Sequence, residues 1–366
     1  MNDDSQVNRT RIRYFRYVVL ALAALLVVSL GFAFIRAEPP PPPPPPFSER
    51  ARAAALADAL QLRMAGLRLA GGTADAGAAA ALDRIVTLLT IQARTLLLPE
   101  AAAAGTGVPS ASAEAAAPAS SAAPALTTSG LAAALATSGG QRLKDAETVD
   151  GGMARLLAGA GTAQMLAAQQ LAAAAGEPDA VSGLGPAAGP TAAEAATDAA
   201  ETGCPSPSRP PVSPGQQPSA AGTGPGDALA AAVAAELEAV YGYQAALTRL
   251  PPEAAGPASE FLGQHHGLAR EAEKRSLFWC GTPLPQQPGY VLEPQFLASP
   301  SAGLARLEAG TLPAYGDVVA VTDGSTRRWA IAALRSAVLR TVHWGGDPGP
   351  VPGLPLDEQQ LPPLPA

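Results

Sequence analysis

The segment 227–250 has a carboxylate where a helix needs an apolar side chain. Its apolar residues recur three and four positions apart, which is typical of the buried face of a helix, and Glu236 lies within that stripe. A carboxylate in a core is unfavourable unless it is paired or protonated. Either Glu236 has a partner on a facing helix, or the helix is rotated and Leu237 takes its place. The apolar members of the stripe are Leu229, Val233, Val240, Tyr243, Leu247 and Leu250.

Two neighbouring histidines, His265 and His266, are also able to do chemistry. Consecutive side chains on a helix point about 100° apart, so this pair is poorly placed to bind one metal ion. His265 shares a helical stripe with Phe261, Leu268 and Ala272. The stripe favours a hydrogen-bonded core histidine at 265 and an exposed one at 266. The chain has no G-x-S-x-G, Walker or dinucleotide-binding motif, which argues against those classes of enzyme.

Residues 18–35 are apolar and uncharged, which predicts a membrane-spanning helix. At about 1.5 Å per residue they extend roughly 27 Å, close to the ~30 Å hydrocarbon core of a bilayer. Residues 1–17 are rich in arginine, so the positive-inside rule places them in the cytoplasm and the bulk of the chain outside a plasma membrane crossed once. A cleaved signal peptide is the alternative, although residues 35–37 fit an A-x-A cleavage site poorly.

The chain contains two cysteines, Cys204 and Cys280, which are too few for a four-cysteine zinc site. Outside the cytoplasm they would meet oxidising conditions, in which a disulfide between them is possible. Two free thiols are the alternative.

The composition indicates an all-α protein. The 366 residues carry a net charge of −7, which argues against nucleic acid as a partner. Aromatic residues make up 4% of the chain, so its cores must be built from Ala, Leu and Val. Ala and Leu have high helix propensity, and strand-forming runs are scarce.

Proline- and glycine-rich stretches divide the part of the chain that follows the anchor. We expect a polyproline spacer at 36–46, which should form an extended rod. The regions expected beyond it are an Ala-rich four-helix bundle at 47–176, a disordered Pro/Gly-rich linker at 177–226, a second four-helix bundle at 227–346 and a disordered Pro-rich tail at 347–366.

Short motifs within 227–346 carry a family resemblance. They are ELEAVYGY at 236–243, HGLARE at 266–271, PGYVL at 288–292, LARLEAGTLPAYGDVVA at 304–320 and RRWAIAALRSAVLRTVHW at 327–344. With these motifs the region resembles DUF4439, an actinobacterial ferritin-like domain family of unknown function. The resemblance covers roughly a third of the chain and implies a four-helix bundle, with no established activity. An ungapped similarity of 128–136 to 301–309 suggests that the first bundle is ferritin-like as well.

The resemblance also implies a polar core in the second bundle. Glu236, His266 and Glu308 match the family's polar core positions, while Arg270, Arg340 and Trp344 match its other recurrent positions. A ferritin-like dinuclear metal site needs Glu-x-x-His on two helices, and 227–346 contains no such motif. We therefore expect a hydrogen-bonded core network of Glu236, His266, Arg270, Glu308 and Arg340 without a cofactor. The alternative is iron or manganese bound by Glu236, His266 and Glu308.

These expectations lead to a functional hypothesis. The protein is expected to be a non-enzymatic, membrane-anchored module of the cell envelope, with the lipid bilayer and an unidentified envelope protein as partners. The alternatives are a ferritin-like metal-binding or redox protein, and a carrier of a small apolar ligand.

Overall fold

The computed structural model describes residues 14–27, 44–73, 75–97, 126–181, 224–281, 283–285 and 287–365. Within these ranges all regular structure is helical, which confirms the predicted all-α class. The chain divides into two compact units, Met1–Pro45 and Pro46–Ala366. All the buried hydrophobic clusters of the described residues belong to the second unit.

The first unit contains one described helix, α1 (Tyr14–Val27). The helices of the second unit are α2 (Phe47–Gly72), α3 (Ala76–Leu96), α4 (Thr128–Ala146), α5 (Gly151–Ala174), α6 (Pro225–Leu247), α7 (Pro252–Phe278), α8 (Pro294–Ala298), α9 (Pro300–Val321) and α10 (Gly324–His343). Short 3₁₀ turns occupy Pro178–Val181 and Glu358–Gln360.

Helices α2 to α5 pack mainly as the pairs α2–α3 and α4–α5. Helices α3, α4 and α5 each start at a side-chain N-cap. The cap residues Asp75, Thr127 and Asp150 each accept a hydrogen bond from a backbone N–H in the first turn. Their own core is built from small and branched aliphatic residues, with no aromatic ring among them. The fully buried leucines of this core are Leu82, Leu89, Leu131, Leu135 and Leu171.

Helices α6 to α10 position the candidate site. Proline stands in the first turn of α6, α7, α8 and α9, where its fixed φ suits a helix start and its missing N–H costs nothing. The strongest packing is between α6 and α7, α9 and α10, and α6 and α9. These contacts bring the inward faces of four long helices together around one polar centre.

The two sets of helices share a hydrophobic core. One cluster combines Ala55, Leu143 and Leu157 of the first set with Leu229 and Val318 of the second. Helix α5 packs against both α9 and α10. The region 227–346 therefore buries part of its surface against the helices that precede it, and stability measurements need the whole unit from residue 46 onward.

The Pro-rich segment 347–366 was expected to be disordered, but its described residues pack onto both sets of helices. Val351 is 2% exposed and lies against Gly159, which has no side chain in the way. The guanidinium groups of Arg94 and Arg155 donate hydrogen bonds to carbonyl oxygens of the segment. Composition alone misses this packing, because a proline-rich chain without helix or strand can still be held by side chains that satisfy its carbonyl groups. We call residues 347–365 the C-terminal strap.

Among the described residues, the helix Ala76–Leu96 is the one that is long and apolar enough to span a membrane. It is α3, and 39% of its most apolar stretch is buried within the protein. Helix α1 is apolar but shorter. Of the predicted anchor 18–35, residues 28–35 lie outside the described residues, as do most of the linker 177–226 and the spacer 36–46.

Candidate functional site

One charged or titratable side chain from each of four helices meets in the core. Glu236 comes from α6, His265 from α7, Glu308 from α9 and Arg340 from α10. The first three are 0% exposed and Arg340 is 2% exposed. We call these four residues the polar cluster. Groups this deeply buried are stable only when they are paired with one another.

His265 lies between the two carboxylates. Its Nδ1 atom is 2.7 Å from Oε2 of Glu236, and its Nε2 atom is 2.8 Å from Oε1 of Glu308. A neutral imidazole has one N–H and can donate to one carboxylate, whereas an imidazolium donates to both. Each of the two short contacts needs one proton, so His265, Glu236 and Glu308 together must hold two protons.

The pKa of His265 fits this arrangement. Burial by itself lowers the pKa of the imidazolium, but the hydrogen bonds to Glu236 and Glu308 and the charges of both carboxylates outweigh it and raise the pKa above its ordinary value. With His265 protonated, two carboxylates face an imidazolium and a guanidinium. The charges of the polar cluster then balance, as a buried cluster requires.

Arg340 holds Glu308 from the other side. Its Nε atom lies 3.0 Å from Oε1 and 2.9 Å from Oε2 of Glu308. Burial alone would raise the pKa of Glu308, but the charge of Arg340 and the hydrogen bond from His265 lower it overall. The Nη1 and Nη2 atoms of Arg340 have no acceptor among the described residues. Arg340 and His265 therefore surround the carboxylate of Glu308 with donors, which favours its ionised form.

Two tyrosines complete the site through a reciprocal exchange between α6 and α9. Tyr243 donates to Oε1 of Glu308 at 2.6 Å, and Tyr315 donates to Oε1 of Glu236 at 2.6 Å. Each helix therefore carries a glutamate and, seven residues later, a tyrosine that binds the glutamate of the other helix. This cross-pairing sets α6 and α9 antiparallel in one register.

Aromatic rings pack against these tyrosines in the core. Nε1 of Trp344 donates to the hydroxyl of Tyr243 at 2.6 Å, and the ring of Trp329 lies 5.8 Å from that of Tyr315. Burial, together with the nearby glutamate, raises the pKa of each tyrosine far above its usual range, so both stay protonated as donors. The arrangement supplies fixed donors to two fully buried carboxylates.

The structure places some of the predicted site residues together and others apart. Glu236, Glu308 and Arg340 lie in the polar cluster, as the family resemblance implied. His266 and Arg270, however, are exposed on α7, so their assignment to the core was wrong. The helix turns its other face inward, and His265 takes the central position, as its apolar stripe indicated.

Sequence reasoning missed the two tyrosine donors. Tyr243 was treated as an ordinary member of the apolar stripe, and Tyr315 was not singled out. The signal for both was present, because ELEAVYGY and LEAGTLPAY place a tyrosine seven residues after Glu236 and Glu308, two helical turns along the same face. The repeated spacing predicts two glutamate–tyrosine pairs across a helix interface.

The donor set does not fit a metal centre. Both ring nitrogens of His265 are engaged by carboxylates, and both oxygens of Glu308 are engaged by Arg340. A guanidinium next to the carboxylate would repel a bound cation. In the part of the chain that the structure describes, no group of three His, Cys, Asp or Glu side chains is arranged to hold a metal ion.

A groove of about 720 Å³ lies elsewhere in the second unit, between α3, α5 and the C-terminal strap. Its walls are mostly apolar and include Ile85, Leu88 and Ile91 of α3 and Leu166 of α5. Charged residues Asp83, Arg84, Asp347 and Glu358 also line it. This volume is within the range typical of small-molecule sites.

Comparisons with known proteins bear on the second set of helices. No curated protein and no solved structure matches the chain. A family model described as "Domain of unknown function (DUF4439)" matches residues 228–356, which include every residue of the polar cluster and part of the strap. The match confirms the resemblance noted in the sequence: residues 228–356, in the C-terminal third of the chain, are similar to the DUF4439 family.

Proposed function

We propose that the protein is a membrane-anchored, extracytoplasmic helical module that acts through binding rather than catalysis. The observation that carries this proposal is the state of the polar cluster. Its carboxylate and imidazole atoms are buried and already engaged by protein groups. A catalytic acid or base must reach a substrate proton directly or through one water. The cluster instead ties four helices together, as a structural polar core does.

Helix α1 and Cys280 support the membrane and envelope part of the proposal. The large side chains of Tyr14, Phe15 and Leu25 are 69%, 70% and 71% exposed, as expected for a helix made to face lipid. Cys280 is disulfide-bonded, and disulfides persist mainly in oxidising compartments. Cys204, its expected partner, lies outside the described residues, so that pairing stays a prediction.

The finer architecture belongs to the same proposal. We take α6, α7, α9 and α10 as a ferritin-like four-helix bundle, because each supplies one member of the polar cluster at the centre. Helices α2 to α5 would form the second bundle of this kind. The anchor 18–35 and the rod 36–46 would hold both at a distance from the membrane.

Reporter fusions test the topology. Alkaline phosphatase, which is active outside the cytoplasm, should be active when fused after residue 366 and inactive when fused after residue 17. β-Galactosidase should give the opposite pattern. An inactive phosphatase after residue 366 would contradict the envelope assignment and remove the compartment in which the disulfide is expected.

A second candidate function, transport or storage of a small apolar ligand, is favoured by the groove between α3, α5 and the strap. It is compatible with a membrane-anchored module. A ferritin-like metal or redox function would have to use Glu236, His265 and Glu308, because His266 is exposed. Metal analysis separates that alternative from the main proposal.

A further inference from the structure

We infer that the groove between α3, α5 and the C-terminal strap binds a free amphiphile with a single alkyl chain and a cationic head group. The inference rests on the second candidate function, ligand carriage, and adds the shape and charge of the ligand. It does not involve the polar cluster, because none of the four residues of that cluster lines the groove.

The shape of the groove favours a linear chain. Its lining runs from Ala81 to Ile91 along α3 and from Ala163 to Leu171 along α5. Ten residues of a helix extend roughly 15 Å. An elongated wall of this kind offers continuous apolar contact to an alkyl chain, which gains free energy in proportion to the area that it buries.

The charge around the groove favours a cation. Asp83, Asp347 and Glu358 are exposed acidic residues of the lining, and Arg84 is its basic residue. None of the four forms an ion pair within 4.0 Å with another described residue. The three carboxylates are therefore available for an ion pair with a ligand, and acidic side chains outnumber basic ones in the lining of the groove. A cationic head group would be attracted and an anionic one repelled.

Two of the three acids belong to the strap. Along the sequence, Asp347 precedes and Glu358 follows the buried Val351, which fixes the strap in the core. The side chain of Asp347 also accepts a hydrogen bond from the backbone N–H of Gly349 at 2.9 Å. Glu358 is held by Arg94, whose Nη2 atom donates to the backbone carbonyl of Glu358 at 3.0 Å. Both acidic residues therefore stay beside the apolar walls, so an alkyl chain and its head group can be recognised at the same time.

The experiment compares three amphiphiles of equal chain length, each below its micelle concentration. Decyltrimethylammonium, decyl maltoside and decyl sulfate are titrated calorimetrically into the fragment 46–366, which is a separate compact unit. The cationic probe should bind about tenfold more tightly than the anionic one, which corresponds to ~1.4 kcal/mol. Added salt should reduce the difference, because the acidic residues are exposed.

Paired variants locate the site. Asp347→Asn with Glu358→Gln should remove most of the preference for the cation, since both keep their shape and lose their charge. The control Glu253→Gln with Glu273→Gln removes two exposed acids outside the groove lining and should leave the preference unchanged. After Asp347→Asn the side-chain oxygen can still accept the hydrogen bond from the backbone N–H of Gly349, so the strap should stay in place.

A second pair tests the apolar wall. Thr87 lies in α3 and lines the groove, whereas Thr248, the residue that follows α6, does not. Both threonines are exposed, and the hydroxyl of each donates to a backbone carbonyl of the preceding helical turn. Thr87→Trp should weaken binding of all three amphiphiles, and Thr248→Trp should not.

The outcomes separate the inference from the function on which it rests. Equal affinity for the three probes, or no effect of the two strap substitutions, overturns the assignment of a cation and leaves ligand carriage standing. Binding that Thr87→Trp does not weaken places the site elsewhere and overturns the inference. Failure of all three probes to bind overturns both the inference and ligand carriage, while the membrane topology is judged by the reporter fusions alone.

Discussion

Nδ1 of His265 lies 2.7 Å from Oε2 of Glu236, and both side chains are fully buried. The contact joins α6 to α7, and the second ring nitrogen of His265 extends it to Glu308 on α9. One imidazole thus connects three helices, and the energetics of the fold should depend on each partner of that ring.

The first prediction concerns Glu236. Glu236→Ala leaves His265 and the hydroxyl of Tyr315 without their acceptor, so it should destabilise the fragment 46–366 by ~3–5 kcal/mol. Glu236→Gln should cost less, because the amide oxygen still accepts a hydrogen bond. The control Glu238→Ala, on the exposed face, should change the free energy of unfolding by no more than ~0.5 kcal/mol. Equal, small losses for Glu236→Ala and Glu238→Ala in denaturant melts would show that Glu236 does not lie in the core.

The second prediction separates the two neighbouring histidines. His265→Gln removes a group that bridges two carboxylates, and it should lower the free energy of unfolding by several kcal/mol, comparable to ~3–5 kcal/mol for a broken buried pair. His266→Gln should be nearly neutral, within ~0.5 kcal/mol, because His266 is exposed. Urea melts of both variants at one pH make the comparison. A larger loss for His266→Gln would mean that α7 is rotated by one residue.

The position of His265 illustrates how far sequence reasoning reached. The apolar stripe of 227–250 included Glu236 and left open a rotation that would bury Leu237 instead. The structure shows the first alternative, because Glu236 is 0% exposed and has partners on the facing helices. The family resemblance pointed to His266, whereas the apolar neighbours of His265 pointed the other way. Which of two adjacent residues faces inward depends on the rotation of α7 against α6 and α9, and this is a property of the assembled helices.

The partners of the arginines and the course of the strap were harder to foresee. Arg340 was expected in one core network with Glu236 and Glu308, and the structure shows which of the two glutamates its Nε contacts, namely Glu308. The packing of 347–365 depends on carbonyl acceptors for Arg94 and Arg155, which come from distant parts of the sequence. Local composition carries no information about contacts of that range, whereas helix caps such as Asp75 and Asp150 are local and follow from residue type.

The third prediction is a pH dependence with two opposite limbs. The pKa of His265 is raised in the folded protein, so its contribution to stability is fully present below its unfolded pKa of about 6.5 and is lost as the pH rises through the folded pKa. The pKa of Glu308 is lowered, so its contribution is present above its unfolded pKa of about 4.3 and is lost as the pH falls through the folded pKa. Denaturant melts at a series of pH values, from below the folded pKa of Glu308 to above the folded pKa of His265, measure both limbs.

His265→Gln provides the control for the alkaline limb. The difference in free energy of unfolding between the wild-type fragment and this variant should shrink as the pH rises through the folded pKa of His265. A difference that stays constant or grows with pH would contradict a protonated imidazole between Glu236 and Glu308.

The fourth prediction concerns the C-terminal strap. Val351 is 2% exposed. Val351→Ala should destabilise the fragment 46–366 by ~1.5–3 kcal/mol, because it removes two buried methyl groups and leaves a cavity in their place. Val291 is 96% exposed, so Val291→Ala is a matched control that should cost no more than ~0.5 kcal/mol. Thermal melts that show the same midpoint for both variants would mean that the strap is not held in the core.

The central claim is that the polar cluster is a structural, charge-balanced core and holds no metal. The most direct measurement is the iron and manganese content of the fragment 46–366, purified from cells grown with both metals in excess, together with its thermal stability before and after chelation. The account predicts far less than one metal ion per chain and an unchanged melting temperature. Stoichiometric iron or manganese, lost together with stability on chelation and absent from Glu308→Gln, would contradict it.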